Sequence, residues 1–322
     1  MIQNIKRASF KHKNNKLAYY TKNYLRQITP AYFFKKKLNP ILSSLNEKEK
    51  EHILQRVNYY NKLNEPKELC ETAVSLADFK LKNHQKTYFF DTYEYTRYFP
   101  SSYKICPLFG DVTFIPDHPS LTKTRPIAGN NENSILLKLN KPRHYIFVND
   151  KNLFTDKKDM LVSRSKARQE HRIRFLEQYS THPMCNVGQV NTDMNNHFLK
   201  NRLTIEEQLK YKFILCLEGN DVASNLKWVM SSNSIAVMPK PKHESWFMEG
   251  TLIPDYHYIL IKDDFSDLEE RLTYYINHTS EALKIIENAH NHISEFKNEE
   301  QEKIISLLVL DKYFEKTNQK TQ

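Results

Sequence analysis

Glu218, Gly219, Asn220 and Asp221 close an apolar run, Phe213 to Leu217, and stand directly before a stretch with apolar residues at Val222, Leu226, Val229 and Met230. That spacing predicts a strand, a polar turn and a helix, with Asp221 as the helix cap. On such a helix Asn220, Ser224 and Lys227 share one face near the N-terminus, where unpaired N–H groups and the helix dipole favour an anion. Polar groups between the carboxyl end of a strand and a helix are where open α/β sheets bind phosphorylated ligands. The segment therefore reads as a nucleotide-type site. The alternative is an ordinary buried βαβ unit whose polar stripe is only solvated.

Other residue types point to the rest of such a reaction. Arg164 and Arg172 flank Lys166 and Arg168 around the start of a predicted helix, Gln169 to Tyr179. Cations crowded at a helix N-terminus are locally unfavourable, and guanidinium groups bind phosphate oxygens in pairs, so an anionic ligand accounts for the cluster better than a solvated helix does. Asp111 follows Phe109-Gly110 at the end of a predicted strand and precedes Lys123-Thr124-Arg125. It is a candidate general base, against the frequent role of Asp as a turn residue after Gly. Asp117, in Pro116-Asp117-His118-Pro119, is the second candidate. No GxGxxG or P-loop is present among the five glycines, which argues against a dinucleotide dehydrogenase or a P-loop kinase.

The wording of LEGNDVASNLKW (217–228) followed by SWFMEGTLIPDYHYI (245–259) resembles glycosyltransferase family 90, nearest to its bacterial lipopolysaccharide-core branch. FGDVTFIPDHPSLTKTRPIAGNNENSILLKL (109–139), PRHYIFVND (142–150), LVSRSKARQEHRIRFLEQY (161–179) and MCNVG (184–188) agree with it. The resemblance covers residues 100–295 and is most specific over 210–261. It implies an inverting hexosyltransferase that uses a UDP-sugar, has no cofactor and no metal, and adopts an α/β GT-B-like fold of two Rossmann-like domains facing across a cleft. Its acceptor would be a lipid-linked oligosaccharide, the lipopolysaccharide core. Asp111 then matches the family's base carboxylate, with Asp117 in the Asp-x-Pro context of the eukaryotic branch. Arg164 and Arg172 match the spacing of the family's two arginines, although Ser163 and Ser165 replace the Phe and Gly around the first. Glu244, then Glu249, match the acidic motif that accepts hydrogen bonds from ribose, while Trp246 and Phe247 read as core residues. The missing DxD motif agrees with metal independence.

Composition bounds the rest. At 322 residues and 39% hydrophobic content the chain has enough apolar surface for two cores, and such a length exceeds a usual single core. The net charge is +10, and residues 1–40 hold ten Lys or Arg with no Asp or Glu, so the remainder is balanced at 38 against 38. Tyr19, Tyr20, Tyr24, Tyr32, Phe33 and Phe34 are interleaved with those cations. This arm suits an anionic inner-membrane surface or nucleic acid; a solvated arm is the plain alternative. With no signal peptide and no apolar run long enough to span a membrane, the chain is expected to be cytoplasmic and peripheral. Cys70, Cys106, Cys185 and Cys216 lack metal-site spacing and read as free thiols. The rival functions are a nucleic-acid-binding or RNA-modifying protein, which leaves 210–261 unexplained, and a non-catalytic envelope-assembly partner that retains the fold without activity.

The elements expected to position these residues fall into an acceptor-side domain with the basic arm (1–150), a donor-binding domain (151–295) and a C-terminal helix and tail (296–322). Leu45–Tyr60 and Glu68–Lys82 read as amphipathic helices, Lys86–Phe90 and Lys104–Phe109 as strands, the latter interrupted by Pro107. Ser134–Leu139 and Tyr145–Val148 read as short elements, Met160–Ser163, Ser234–Met238 and Tyr256–Ile261 as strands. Ser266-Asp267-Leu268-Glu269 has the form of a capping box ahead of one long helix, and a last helix runs over Glu300–Phe314.

Overall fold

A computed structural model describes residues 12–43, 47–193 and 197–320; Lys6, Arg7 and Lys11 of the basic arm lie outside them. The chain divides into two compact units, one of Met1–Asn15, Tyr145–Pro241 and Thr251–Glu295, the other of Lys16–His144, Lys242–Gly250 and Phe296–Gln322. Neither unit is continuous in sequence. The segment holding Glu244 and Glu249, assigned above to the donor side, belongs with the N-terminal residues, and so does the last helix.

The first unit is an open parallel sheet. Its strands are β1 (Lys158–Ser165), β2 (Cys185–Gln189), β3 (Tyr211–Leu215), β4 (Ile235–Met238) and β5 (Ile259–Leu260). They lie in the order β2-β1-β3-β4-β5, every pair parallel. All five residues of β3 are buried, Lys212 among them, as in a strand covered on both faces. Helices α1 (Glu170–Tyr179), α2 (Leu226–Met230), α3 (Leu268–Asn277) and α4 (Thr279–Ser294) accompany it. Phe175, Leu176, Leu268, Leu272, Ile285 and Ile286 pack with Leu161, Val187, Phe213 and Val237 into one core. At the N-terminal end of β1, Lys157 Nζ donates to Asp150 Oδ2 (2.6 Å), Leu209 O (2.5 Å) and Ser234 Oγ (2.9 Å), satisfying a buried ammonium whose pKa burial lowers.

The second unit packs the helices Lys16–Ile28, Glu47–Tyr60, Lys86–Thr96 and Glu299–Lys316 with small sheets. Pro107–Leu108, Ser120–Thr122 and Ser134–Leu136 form a three-stranded parallel sheet. Thr124–Pro126 pairs antiparallel with His243–Ser245, setting Arg125 opposite Glu244. Tyr60, Trp246 and Tyr313 are wholly buried, and Trp246 stacks on Tyr60 at 3.8 Å.

Several local expectations are corrected. Lys86–Phe90 begins a helix, because Tyr88, Phe89, Phe90, Asp91, Thr92 and Tyr95 are buried nearly all round. Glu68–Lys82 holds only Val74–Ser75 as a strand and Leu81–Asn83 as a single 3₁₀ turn. Tyr145–Val148 has no regular structure. The supposed capping box at Ser266 fails: Asp267 Oδ1 accepts from Lys262 N instead, and the helix breaks in two at His278. A true capping box lies at Thr204 and Glu207. Cys70 and Cys106 form a disulfide with Cα atoms 6.3 Å apart, leaving Cys185 and Cys216 as buried free thiols. Among the described residues no helix is long and apolar enough to cross a membrane.

Candidate functional site

The order β2-β1-β3 means that the chain leaves β1 in one direction across the sheet and resumes from β3 in the other. Between their carboxyl ends such sheets open a crevice, the usual ligand seat of doubly wound folds. The loop 166–169 and the start of α1 line one side of it, and residues 216–220 the other. Arg172, in the first turn of α1, reaches across. Its Nε donates to Glu218 O at 2.9 Å, Nη2 to Leu217 O at 2.7 Å and Nη1 to Lys166 O at 3.2 Å. His171 Nε2 lies 2.9 Å from the same Glu218 carbonyl. Gln169 Nε2 donates to Asn220 Oδ1 at 2.8 Å, while Gln169 Oε1 is buried without a hydrogen bond among the described residues.

Polar atoms from the residues after β2 lie at the same end. Asn191 Oδ1 accepts from Ala167 N at 2.8 Å, and its amide donates to Asp193 Oδ1 at 2.8 Å. Asp193 also pairs with Arg168, both about half exposed. Lys166 is exposed. The result is a helix N-terminus, a braced arginine and exposed basic side chains around one crevice, which can hold a phosphorylated group.

The other sequence candidates are distributed differently. Arg164 donates to the carbonyls of Asn201 (2.9 Å), Ser163 (2.9 Å) and Asn186 (2.7 Å), and to Asn186 Oδ1 (2.9 Å). It ties β1 to β2 and to residue 201, whereas Arg172 ties the start of α1 to the carbonyls of Leu217 and Glu218. The helix expected to open at Asn220 begins at Leu226, with Asn225 as its cap residue. Asn220, Ser224 and Lys227 therefore do not share a helical face, and Asp221 precedes the cap position, Asn225. Lys227 is wholly buried beside Cys216, whose thiol burial pushes up and Lys227 draws down. Gly219 lies where an added Cβ would meet Arg172 Nη2 at an ordinary 3.6 Å.

Glu244 and Glu249 are buried in the second unit. Arg125 Nε donates to Glu244 Oε1 at 2.7 Å, and the Tyr59 hydroxyl donates to its other oxygen. Burial, the Glu244 charge and this bond raise the Tyr59 pKa above its ordinary value. Glu249 accepts from Ser245 N at 2.6 Å and from Ser245 Oγ. A Cβ at Gly250 would sit 2.5 Å from Glu244 Oε2 and 2.8 Å from the Tyr59 oxygen, so those side-chain ends would have to shift. These carboxylates hold a strand pair together, a role that the acidic pattern alone does not reveal.

Asp111 is different. Gly110 turns the chain at φ +120° after the first strand of the three-stranded sheet, and Asp111 emerges exposed. Its Oδ1 meets Lys123 Nζ at 2.5 Å, and that lysine is almost completely buried. The buried Lys123 thus fixes a carboxylate that is itself presented to solvent. Asp117 is exposed, and its backbone oxygen accepts from Asn133 Nδ2 at 2.8 Å. Sequence reading noted Lys123 as part of a basic loop but missed this pair, together with Gln169 and His171 in the crevice; their residue types carry no spacing signal.

The model of glycosyl transferase family 90 matches residues 140–318. That range takes in the whole parallel sheet. The chain belongs to glycosyl transferase family 90. A relative named O-glucosyltransferase LpsA, from Dichelobacter nodosus, is 44% identical over 263 residues, 81% of this chain and 82% of that protein. This alignment is longer than the family match. A protein of Frog virus 3 (isolate Goorha), named uncharacterized protein 027R, is 34% identical over 87 residues, 26% of this chain and 9% of that protein. As a family 90 glycosyltransferase the chain has a sugar donor and a glycan acceptor as its substrates.

Proposed function

We propose that this glycosyltransferase moves a glucosyl unit from a UDP-sugar to a hydroxyl of a lipid-linked acceptor, the lipopolysaccharide core or a related surface glycan, with inversion at the anomeric carbon. The glucosyl assignment leans on the name of the Dichelobacter relative. The observation that carries the reading is the crevice between β1 and β3, where Arg172 and the N-terminus of α1 converge on one end of a parallel sheet.

The diphosphate would lie at that helix end, with Arg172, Lys166 and Arg168 supplying the positive charge that a metal supplies elsewhere. Asp111 would take the proton of the acceptor hydroxyl. The oxygen so freed forms the bond to the anomeric carbon as the bond to the diphosphate breaks, and UDP leaves with the electron pair. A GT-B organisation of two Rossmann-like domains belongs to the same proposal, because donor seat and base lie in different units and the reaction requires both around one sugar.

Calorimetry with UDP and a turnover assay test this together. Arg172→Ala should weaken UDP on the order of 10-fold to 100-fold, the weight of a charged hydrogen bond of about 1.5–3 kcal/mol. Asp111→Asn should leave UDP affinity nearly unchanged and slow turnover by about 10²–10⁴-fold, as loss of a general base does, and wild-type turnover should survive EDTA. Unaltered UDP affinity in a folded Arg172→Ala protein would sink the donor seat. A larger loss in Asp117→Asn than in Asp111→Asn would move the base, and activity restored to chelated enzyme only by a divalent ion would refute metal independence.

A further inference from the structure

The helix Lys16–Ile28 meets the protein through polar groups and through the rings of Tyr19, Tyr20 and Tyr24, which pack edge-on against Phe90, and it is apolar toward solvent. Asn23 is buried, Arg26 donates to Asn23 Oδ1 at 2.8 Å and pairs with Glu94, and the Tyr19 hydroxyl donates to Asp91 at 2.7 Å. The opposite face carries Leu17, 78% exposed, Leu25, 55%, and Ile28, 77%. With Tyr24 they recur at i, i+7, i+8 and i+11, one stripe of an α-helix. The chain continues into Tyr32 and Phe33, which are 59% and 57% exposed. In a globular protein such a stripe ordinarily faces the core, and apolar residues gathered at the surface mark an interaction site.

Charge says which kind. Lys16, Lys22, Lys35, Lys36 and Lys37 are all exposed around this segment, and residues 1–40 contain no acid. Nucleic acid would engage the lysines and aromatic rings but leave Leu17, Leu25 and Ile28 in water. An anionic bilayer satisfies both sets, because apolar side chains enter the acyl boundary while lysines meet lipid phosphates.

We propose that this face is an interfacial membrane-binding surface, seating the stripe Leu17, Tyr24, Leu25 and Ile28 with Tyr32 and Phe33 in the headgroup region of an anionic bilayer. It adds to the proposed function the place where a lipid-linked acceptor is met, and it depends on none of the donor-site residues.

Flotation with vesicles tests it, using phosphatidylcholine alone and phosphatidylcholine containing phosphatidylglycerol. The wild-type chain should float with the anionic vesicles and much less with the neutral ones. Replacing Lys35, Lys36 and Lys37 together by Ser should lower partitioning on the order of 100-fold, about fivefold for each lysine near the lipid, with the loss confined to low salt. Replacing Leu17, Leu25 and Ile28 together by Ser should abolish the binding that persists at high salt. Trp228 and Trp246 are buried, so the indole introduced by Leu25→Trp should shift its emission to the blue only with anionic vesicles. UDP affinity in solution, measured on every variant, should stay at the wild-type value, which separates failure here from failure of the donor seat. Equal flotation of the wild type and the leucine–isoleucine variant, a fall in that variant's solution mass from a dimer to a monomer, or tighter binding to RNA than to vesicles at matched salt would each overturn the proposal.

Discussion

Asp91 and Glu94 sit one helical turn apart and titrate in opposite directions. Asp91 is fully enclosed, accepting from the Tyr19 hydroxyl at 2.7 Å and from Lys141 N at 3.0 Å. Burial outweighs Lys141 and pushes its carboxyl up to about 6. Burial also acts on Glu94, but there the Lys141 and Arg26 charges prevail and hold it at about 2. A carboxyl raised in the folded state contributes stability that is fully present below its unfolded pKa, near 3.8, and lost as pH rises through about 6. Asp91→Asn removes that titration. The stability of the wild type relative to Asp91→Asn should therefore fall by about 2 kcal/mol between pH ~4.5 and ~7. Urea unfolding of both proteins at the two pH values measures it, and a constant difference would mean that Asp91 is not titrating there. Glu94, by the same reasoning, adds stability above its unfolded value that fades only as pH falls through about 2.

Elements were legible where one periodicity dominated. The helix after Arg164 could be read because its apolar spacing fits a helix, whereas the short run Phe213–Leu217, which overlaps the strand Tyr211–Leu215, owes its assignment to the polar turn that follows it. Lys86–Thr96 could not: its dense aromatics suggest a strand, yet a helix enclosed on nearly every side needs no polar stripe. The candidate site divides likewise. The position of the crevice followed from the strand and its polar turn, but Glu244 looks like a ligand residue in sequence and is a partner of Arg125 in space, 119 residues away. Capping shows the same limit, since Thr204 and Ser266 begin equally good boxes on paper. Thr204 Oγ1 accepts from Glu207 N at 3.1 Å and Glu207 Oε2 accepts from Thr204 N at 2.8 Å, whereas Ser266 Oγ reaches only exposed Asp264. Thr204→Ala should cost about 0.5–2 kcal/mol, the usual value of an N-cap, and Ser266→Ala much less. Thermal melts of the two variants decide it, and equal losses would contradict the assigned cap.

At the scale of the whole chain, the two tryptophans divide between the units, Trp228 in the parallel-sheet unit and Trp246 in the other. Trp246 Nε1 donates to Glu302 Oε2 at 2.7 Å, Asn61 Nδ2 to Val309 O at 3.1 Å and the Tyr313 hydroxyl to Pro119 O at 3.1 Å. The last helix thus completes the unit that the first residues begin. A chain ending at Glu295 should show red-shifted Trp246 emission in a Trp228→Phe background and unchanged Trp228 emission in a Trp246→Phe background. Unshifted Trp246 emission would show that the unit closes without the helix. The same connectivity sets a timetable for biosynthesis. Domains fold as units while the ribosome is still adding residues, and the parallel-sheet unit has all its strands and helices once Glu295 has emerged. Residues made early wait longest: Asn61 gains Val309 O, and Trp246 gains Glu302, only when the last helix has been added, a period in which the nascent chain depends on whatever shields aromatic surface in the cell.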